Sequence, residues 1–235
     1  MKVDKLMANN QGNEWFERIT NECAREYPMH LVDIEPNELV IDAGCNVGGF
    51  TQAFKYRFNR LIAIDASLYN VDEYKKNHHF GILHKALSKE SGKHVQLRKY
   101  IGEGDDDTNS GNFGITGFVN DANNHGYRSE EYEEVETMSL EELIERISIY
   151  DWKMPTLPPS EIGLLKIDIE GSEFDFLYKK DLSKIKYITG EFHNWLFQFN
   201  DLGVELLDWI SVTHDEIYSD GDGINSHYVK LFKRR

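Results

Sequence analysis

Residues 40–50 read VIDAGCNVGGF, an apolar run followed by a turn with three glycines and then a new apolar segment. Val40 and Ile41 suit a buried strand, Gly44, Gly48 and Gly49 suit a tight turn, and Phe50, Ala53, Phe54 and Phe58 continue at helical spacing. Strand, glycine turn and helix in that order form a ready site for a nucleotide at the helix start. The alternative is a tight connection that binds nothing.

The same pattern recurs outward from this turn. RLIAID (60–65) reads as a second strand, YNVDEYKKN (69–77) as a short polar helix and FGILHKAL (80–87) as a third strand. Further on, SLEELIERI begins with a capping-box pattern at Ser139 and Glu142, and IGLLKID (162–168) reads as a central strand. A helix follows from Ser172, then a strand at IKYITGEF (185–192), a helix at VELLDWI (204–210) and two strands around an Asp-Gly turn over 214–232. Alternating strands and helices predict a parallel sheet covered on both faces. Ahead of it, Trp15, Phe16, Ile19, Cys23 and Tyr27 recur at helical spacing up to Pro28. The chain is read as one domain over 1–235, with a helical extension over 1–30 and a polar loop inserted over 102–130. Within that loop FGITGFV (113–119) is a candidate strand, and DDDTNSG (105–111) lacks the spacing of a calcium loop. The proline-bearing 151–161 is a connector.

Open sheets of this kind bind ligands beyond the carboxyl ends of their strands, where the topology switches. That gathers the glycine turn, Asp65, the tail of KALS (85–88), Asp168 to Glu170, and Glu191 to His193 around one crevice. The turn is Gly-x-x-x-Gly-Gly; Asn46 stands where a pyrophosphate-binding turn needs its middle glycine. Asp42 at the strand tip would repel a pyrophosphate and suits a cationic ligand, such as S-adenosylmethionine with its ammonium and sulfonium groups. Asp65 can accept two ribose hydroxyl hydrogens, which fits that molecule and NAD equally. No Gly-Lys-Ser/Thr follows, so a Walker loop is excluded.

The 235 residues carry a formal charge of −15, with 40% hydrophobic and 12% aromatic residues. This is a folded protein whose surface repels phosphate backbones and anionic lipid, so neither nucleic acid nor a membrane is an expected partner. Two cysteines, no leader-like start and no apolar run near the ~20 residues of a membrane span point to a soluble cytoplasmic protein.

These motifs carry a family resemblance. VIDAGCNVGGFT (40–51) resembles the glycine motif of the FkbM-type methyltransferases, and GLLKIDIEGSEFDFL (163–177) resembles their second signature. MSLEEL (138–143) is similar to the segment before it, with Glu141 where the family usually has Asp, and GEFH (190–193) to the strand end after it. IDAS (64–67) departs from the family's usual Glu-Pro. The resemblance implies a Rossmann-like, doubly wound α/β fold: a mostly parallel seven-stranded sheet with a C-terminal antiparallel hairpin. It implies transfer of a methyl group from S-adenosylmethionine to a hydroxyl of a small molecule or glycan. The cofactor site would comprise Asp42, Gly44, Cys45, Asn46, Gly48, Phe50 and Thr51 from the turn. Asp65, Ala66 and Ser67, with Ala86 and Asp168, would complete it.

An activated methyl donor leaves the protein to align the acceptor and take its proton. His193 is the expected base, with Glu191 two residues earlier on the same face of a strand. Asp168 faces the cofactor's charged end or the acceptor, and Glu170 orients the acceptor, although Glu170 and Glu173 also read as helix-start charges. Trp195 and Phe197 read as core rather than as a sugar platform. Lys166, among apolar neighbours, reads as a lysine snorkelling to the surface. No metal is expected, the competing case being a divalent cation on Asp168 and Glu191. A non-catalytic binding module and an NAD oxidoreductase are more distant readings.

Overall fold

A computed structural model describes residues 3–102, 113–115, 126–149, 161–193, 202–220 and 228–235. Strand β1 (Leu39–Ala43) lies at the centre of a seven-stranded sheet. The chain moves outward through β2 (Leu61–Asp65) to β3 (Gly81–His84) at one edge. It then makes a second, smaller sheet from β4 (Ala86–Leu87), β5 (His94–Gly102), β6 (Phe113–Ile115) and β7 (Gly126–Met138). On its return it sets β8 (Ile162–Ile167) against the other side of β1, followed by β9 (Ile185–Phe192), β10 (His214–Ser219) and β11 (Tyr228–Arg234). The spatial order is β10-β11-β9-β8-β1-β2-β3, and β11 is antiparallel to both its neighbours. β1 and β8 are parallel, and the order in which strands are added reverses between them, which opens a crevice at their carboxyl ends.

Alternation along the strands decides what each face buries. Leu39, Ile41 and Ala43 of β1, with Leu165 and Ile167 of β8, pack against helices α4 (Leu140–Ile149), α5 (Glu173–Leu177) and α6 (Leu202–Ile210). Val40 and Leu164 point the other way, toward α2 (Gly49–Phe54), α3 (Leu68–Asn77) and the long α1 (Val3–Glu26). No helix among the described residues is long and apolar enough to cross a membrane.

The second polar-face positions are Asp42 and Lys166, paired across β1 and β8 in register. Lys166 does not snorkel: its side chain is 4% exposed and Asp42's is 0%. Its Nζ donates to the Gly44 carbonyl at 2.8 Å and lies 3.4 Å from Asp42 Oδ1 and 3.7 Å from Asp168 Oδ2. Burial works against the ammonium charge, but Asp42 and Asp168 outweigh it and hold the lysine above its ordinary range. Each fully buried Ile, Leu or Phe contributes about 1.5–3 kcal/mol, so two apolar layers readily offset one desolvated ion pair.

Two expectations need correction. FGILHKAL is not one strand; it breaks at Lys85, and its halves join different sheets. The segment 94–102 is a strand, and residues 126–130, expected within a loop, belong to a strand of the second sheet; residues 113–115 form a strand within the candidate FGITGFV. Charge hides the pattern: Val135 and Thr137 are buried on one face of β7 while Glu134 and Glu136 are exposed on the other. Residues 103–112 and 116–125 of the expected loop, the connector at 151–160, and Trp195 with Phe197 lie outside the described residues.

Gly44 has φ +69°, and a Cβ there would stand 1.7 Å from the Asp168 carbonyl oxygen. Gly44→Ala is expected to destabilise the fold by at least ~2 kcal/mol in chemical denaturation; a loss under half that would show that the turn relaxes. Lys166→Met should lower stability by about 3–5 kcal/mol, because Asp42 stays buried without its counter-charge. Adding Asp42→Asn should recover much of that loss, and a double variant no better than the single one would refute the pairing.

Candidate active site

The glycine turn is held from below. Gly44 and Cys45 donate their N–H groups to the Ile64 carbonyl at 2.9 and 3.1 Å. Asn46 takes a left-handed conformation (φ 52°) and donates its N–H to Asp65 Oδ2 at 2.8 Å, while its own Oδ1 accepts Val47 N–H at 2.8 Å. Gly48 (φ +97°) begins α2 with no room for a side chain: a Cβ would lie 2.2 Å from His78 Nε2. Gly44 and Asn46 face the cleft, whereas Cys45, Gly48, Phe50 and Thr51 lie behind it. Phe50 is core, edge-on to Tyr27 at 5.2 Å. Burial pushes the Cys45 thiol well above its ordinary pKa and that of Cys23 up to about 12.

Asp42 also lies behind the turn. It shares strand parity with Val40, so its carboxylate points toward α2 and accepts a hydrogen bond from Thr51 Oγ1 at 2.9 Å besides meeting Lys166. It is absent from the cleft lining, and its charge is directed at Lys166 rather than at a ligand. The expectation that it meets a cationic cofactor directly is corrected accordingly.

An open cleft lies beyond the turn. Asp65, Ala66, Ser67 and Ala86 line it as expected. Asp65 Oδ1 accepts Ser67 N–H at 2.8 Å and Asn70 Nδ2 at 3.1 Å, and Oδ2 accepts Asn46 N–H. Three of roughly four lone-pair sites are thus filled, leaving one for a ligand hydroxyl where two were expected. Burial pushes the carboxyl up to about 6 against the opposing effect of these hydrogen bonds. Asn70, which the sequence reading missed, is 4% exposed on the same wall, and its Oδ1 is buried without a hydrogen-bond partner. Its only sequence signal is a polar residue on the buried side of α3. Lys85, the one cation of the lining among the described residues, is paired with Glu136 at 2.6 Å.

The opposite wall carries Asp168 and Glu170. Glu170 (φ 52°) and Gly171 (φ +94°) make a sharp turn after β8 that leads into α5. The turn brings both carboxylates toward His193, which follows β9. His193 is 4% exposed. Its Nδ1 lies 2.9 Å from Glu173 Oε1, and its Nε2 lies 3.5 Å from Glu170 Oε2, 3.8 Å from Glu191 Oε2 and 3.9 Å from Asp168 Oδ1. All four predicted catalytic residues therefore meet. The fifth, Glu173, read from sequence only as a helix-start charge, is the closest partner of the ring. The spacing Asp168-x-Glu170-x-x-Glu173 was its only signal.

Burial disfavours a charged imidazole here, but Glu173, then Asp168 and Glu170, outweigh it and push His193 up to about 10. Glu170 and Glu191 are each pushed up to about 8, by burial first and by Asp168 second. The carboxylates thus favour the charged form of the ring, which serves as a counter-charge that gathers them.

The family model of the methyltransferase FkbM domain matches residues 9–218. A comparison with curated proteins gave no match. Among solved structures, a TehB-like SAM-dependent methyltransferase from Corynebacterium glutamicum is 9% identical, with 98% of this chain and 100% of that one covered at a TM-score of 0.45. M. capricolum TrmK in complex with S-adenosylhomocysteine is 10% identical, with 92% and 67% covered at 0.44. A putative methyltransferase from Pseudomonas syringae is 9% identical, with 94% and 99% covered at 0.43. Likenesses this distant carry no argument; the assignment rests on the family match, which spans the glycine turn, Asp65 and the acidic cluster. The chain belongs to the family of FkbM-domain methyltransferases, enzymes that draw their methyl group from S-adenosylmethionine.

Proposed function

We propose that this methyltransferase is an O-methyltransferase acting on a hydroxyl of a small molecule or sugar. The observation that carries this reading is that Asp168 and Glu170, which line the cleft together with Asp65, gather with Glu191 around His193. A hydroxyl must lose a proton as it attacks, and a group of crowded carboxylates is suited to receive one. The same carboxylates repel a phosphodiester, which favours a small molecule or glycan over nucleic acid as acceptor.

The cleft residues fit the cofactor. Asp65 has one acceptor site left and Asn70 Oδ1 is an orphaned buried acceptor beside it, so the two together would take the paired hydroxyls of a ribose. Lys85, the lining's cation, is committed to Glu136, which gives a pyrophosphate no counter-charge and argues against NAD. Gly44 and Asn46 supply the turn, and Ala66, Ser67, Ala86 and Leu87 the adjoining surface. When bound, S-adenosylmethionine supplies an electrophilic methyl group on a sulfonium. Asp168 and Glu170 orient the acceptor from the opposite wall, and the hydroxyl proton passes into the cluster behind them. His193 positions that cluster through its contact with Glu173.

Because Asp65 must be ionised to accept a hydroxyl hydrogen, affinity for S-adenosylmethionine should be full above about pH 6 and fall as the pH drops through it. Asp65→Ala should weaken binding by ~1.5–3 kcal/mol at neutral pH and remove that dependence. Calorimetry between pH 5 and 8 tests both, and an unchanged affinity in the variant would remove Asp65 from the ribose. Glu191→Gln should slow methyl transfer by ~10²–10⁴-fold while cofactor affinity stays nearly constant. Wild-type turnover in that variant would exclude Glu191 as the proton's destination.

A further inference from the structure

Asp168, Glu170 and His193 each offer one ligand atom, and the three atoms lie within 4.8 Å of one another. We propose that these three residues form a binding site for one divalent transition-metal ion at the end of the cleft, with Glu173 orienting the histidine.

The distances leave room for a shared ion among the three groups. His193 Nε2 stands 3.5 Å from Glu170 Oε2 and 3.9 Å from Asp168 Oδ1. Charge-assisted hydrogen bonds are about 2.7–2.9 Å long, so these separations are too great for them. Ligand atoms about 2.0–2.2 Å from a shared ion stand ~3–3.6 Å from each other at octahedral or tetrahedral angles, so a small contraction closes the site. The ring is already set for ligation. Its Nδ1 meets Glu173 Oε1 at 2.9 Å, which turns Nε2 toward the carboxylates, the arrangement by which a buried acid orients a metal-binding histidine.

Charge is the second, independent observation. Asp168, Glu170, Glu173 and Glu191 face Lys166, which is shared with Asp42, and His193. Glu173 is 1% exposed, and its Oε2 is buried with no hydrogen-bond partner. Among the described residues, Asp168, Glu170 and Glu191 crowd around His193, and a divalent ion would hold these carboxyl groups in their charged form. One imidazole with two carboxylates disfavours magnesium and calcium, which prefer all-oxygen sites, and suits manganese, iron, cobalt or zinc. Glu170, whose side chain is 40% exposed, leaves the site open to the cleft.

The site itself is independent of the acceptor's identity; its use in catalysis rests on the O-methyltransferase reading. There the ion lowers the proton affinity of the acceptor hydroxyl. The O–H proton goes to Glu191, which is outside the ligand set. The O–CH₃ bond forms as the donor's S–CH₃ bond breaks, and the sulfur keeps the electron pair as a neutral thioether.

The test titrates Mn²⁺ into the cofactor-free protein, read by electron paramagnetic resonance, with Co²⁺ absorption as a second probe. One Mn²⁺ per chain is expected, with affinity reduced at least ~10²-fold by Asp168→Asn or Glu170→Gln and ~10–100-fold by Glu173→Gln. Circular dichroism checks folding; Glu170→Gln, at the open side of the site, keeps the test decisive if a buried variant unfolds. Failure of the folded wild-type protein to bind Mn²⁺ and Co²⁺ at millimolar concentration overturns the proposal, as does binding that Asp168→Asn and Glu170→Gln leave unchanged. Full methyl transfer to a hydroxyl after chelation sinks the catalytic use of the ion and leaves O-methylation standing. Ion binding without any hydroxyl methylation supports the site and sinks the functional reading instead.

Discussion

Lys166 carries a positive charge in a place from which water is excluded, and three parts of the molecule are arranged to tolerate it. Desolvating an ammonium costs several kcal/mol even after relaxation. The charge is kept because Asp42 comes from β1, Asp168 from the end of β8, and the Gly44 carbonyl from the turn between strand and helix. Each is fixed in turn by the same ion. The Gly44 carbonyl is pulled inward, the next residues follow the path their left-handed conformations allow, and Asn46 reaches Asp65. One wall of the cleft and the start of the other are therefore set by a single side chain beneath the floor.

The acidic wall obeys a different constraint. Carboxylates this close repel one another, and backbone geometry alone would not hold them. The turn at Glu170 and Gly171 brings two of them over the sheet, and strand parity brings Glu191 and His193 to the same side. His193 is the nucleus of the arrangement, and Glu173 fixes its ring. The Asp65 wall depends on hydrogen bonds among its own groups, the acidic wall on the charges gathered around His193.

The sequence displayed the main sheet well. Long apolar strands such as 162–168 and the glycine turn have local signatures, and the order of units fixed the crevice. The second sheet was less legible, because β7 buries one face while its other face is glutamate-rich, and β5 was not read as a strand at all. In the site, Asp65, Ala66, Ser67 and Ala86 were readable as strand-end residues. Asp42 was misread because a strand-tip acid looks alike whether it points into the cleft or beneath it; only its partner Lys166, 124 positions away, decides. Glu173 and Asn70 meet residues held by other segments, so the faint local signals of each, a spacing and a polar residue on a buried helix face, did not announce their part. Asp168, Glu170 and His193 were legible as neighbours because the order of the strands puts their ends at one crevice.

The glycine turn also contains a thiol, Cys45, that is close to where an alkylating cofactor belongs. Sulfur is the most nucleophilic side-chain atom available, yet only the thiolate attacks readily. Burial keeps Cys45 in its protonated form far into alkaline conditions, and Cys23, beneath the same turn, is held up to about 12. A chain that handles a methylating reagent in its cleft thereby keeps the thiol of its turn from attacking that reagent. The packing that stabilises the turn also makes it chemically silent.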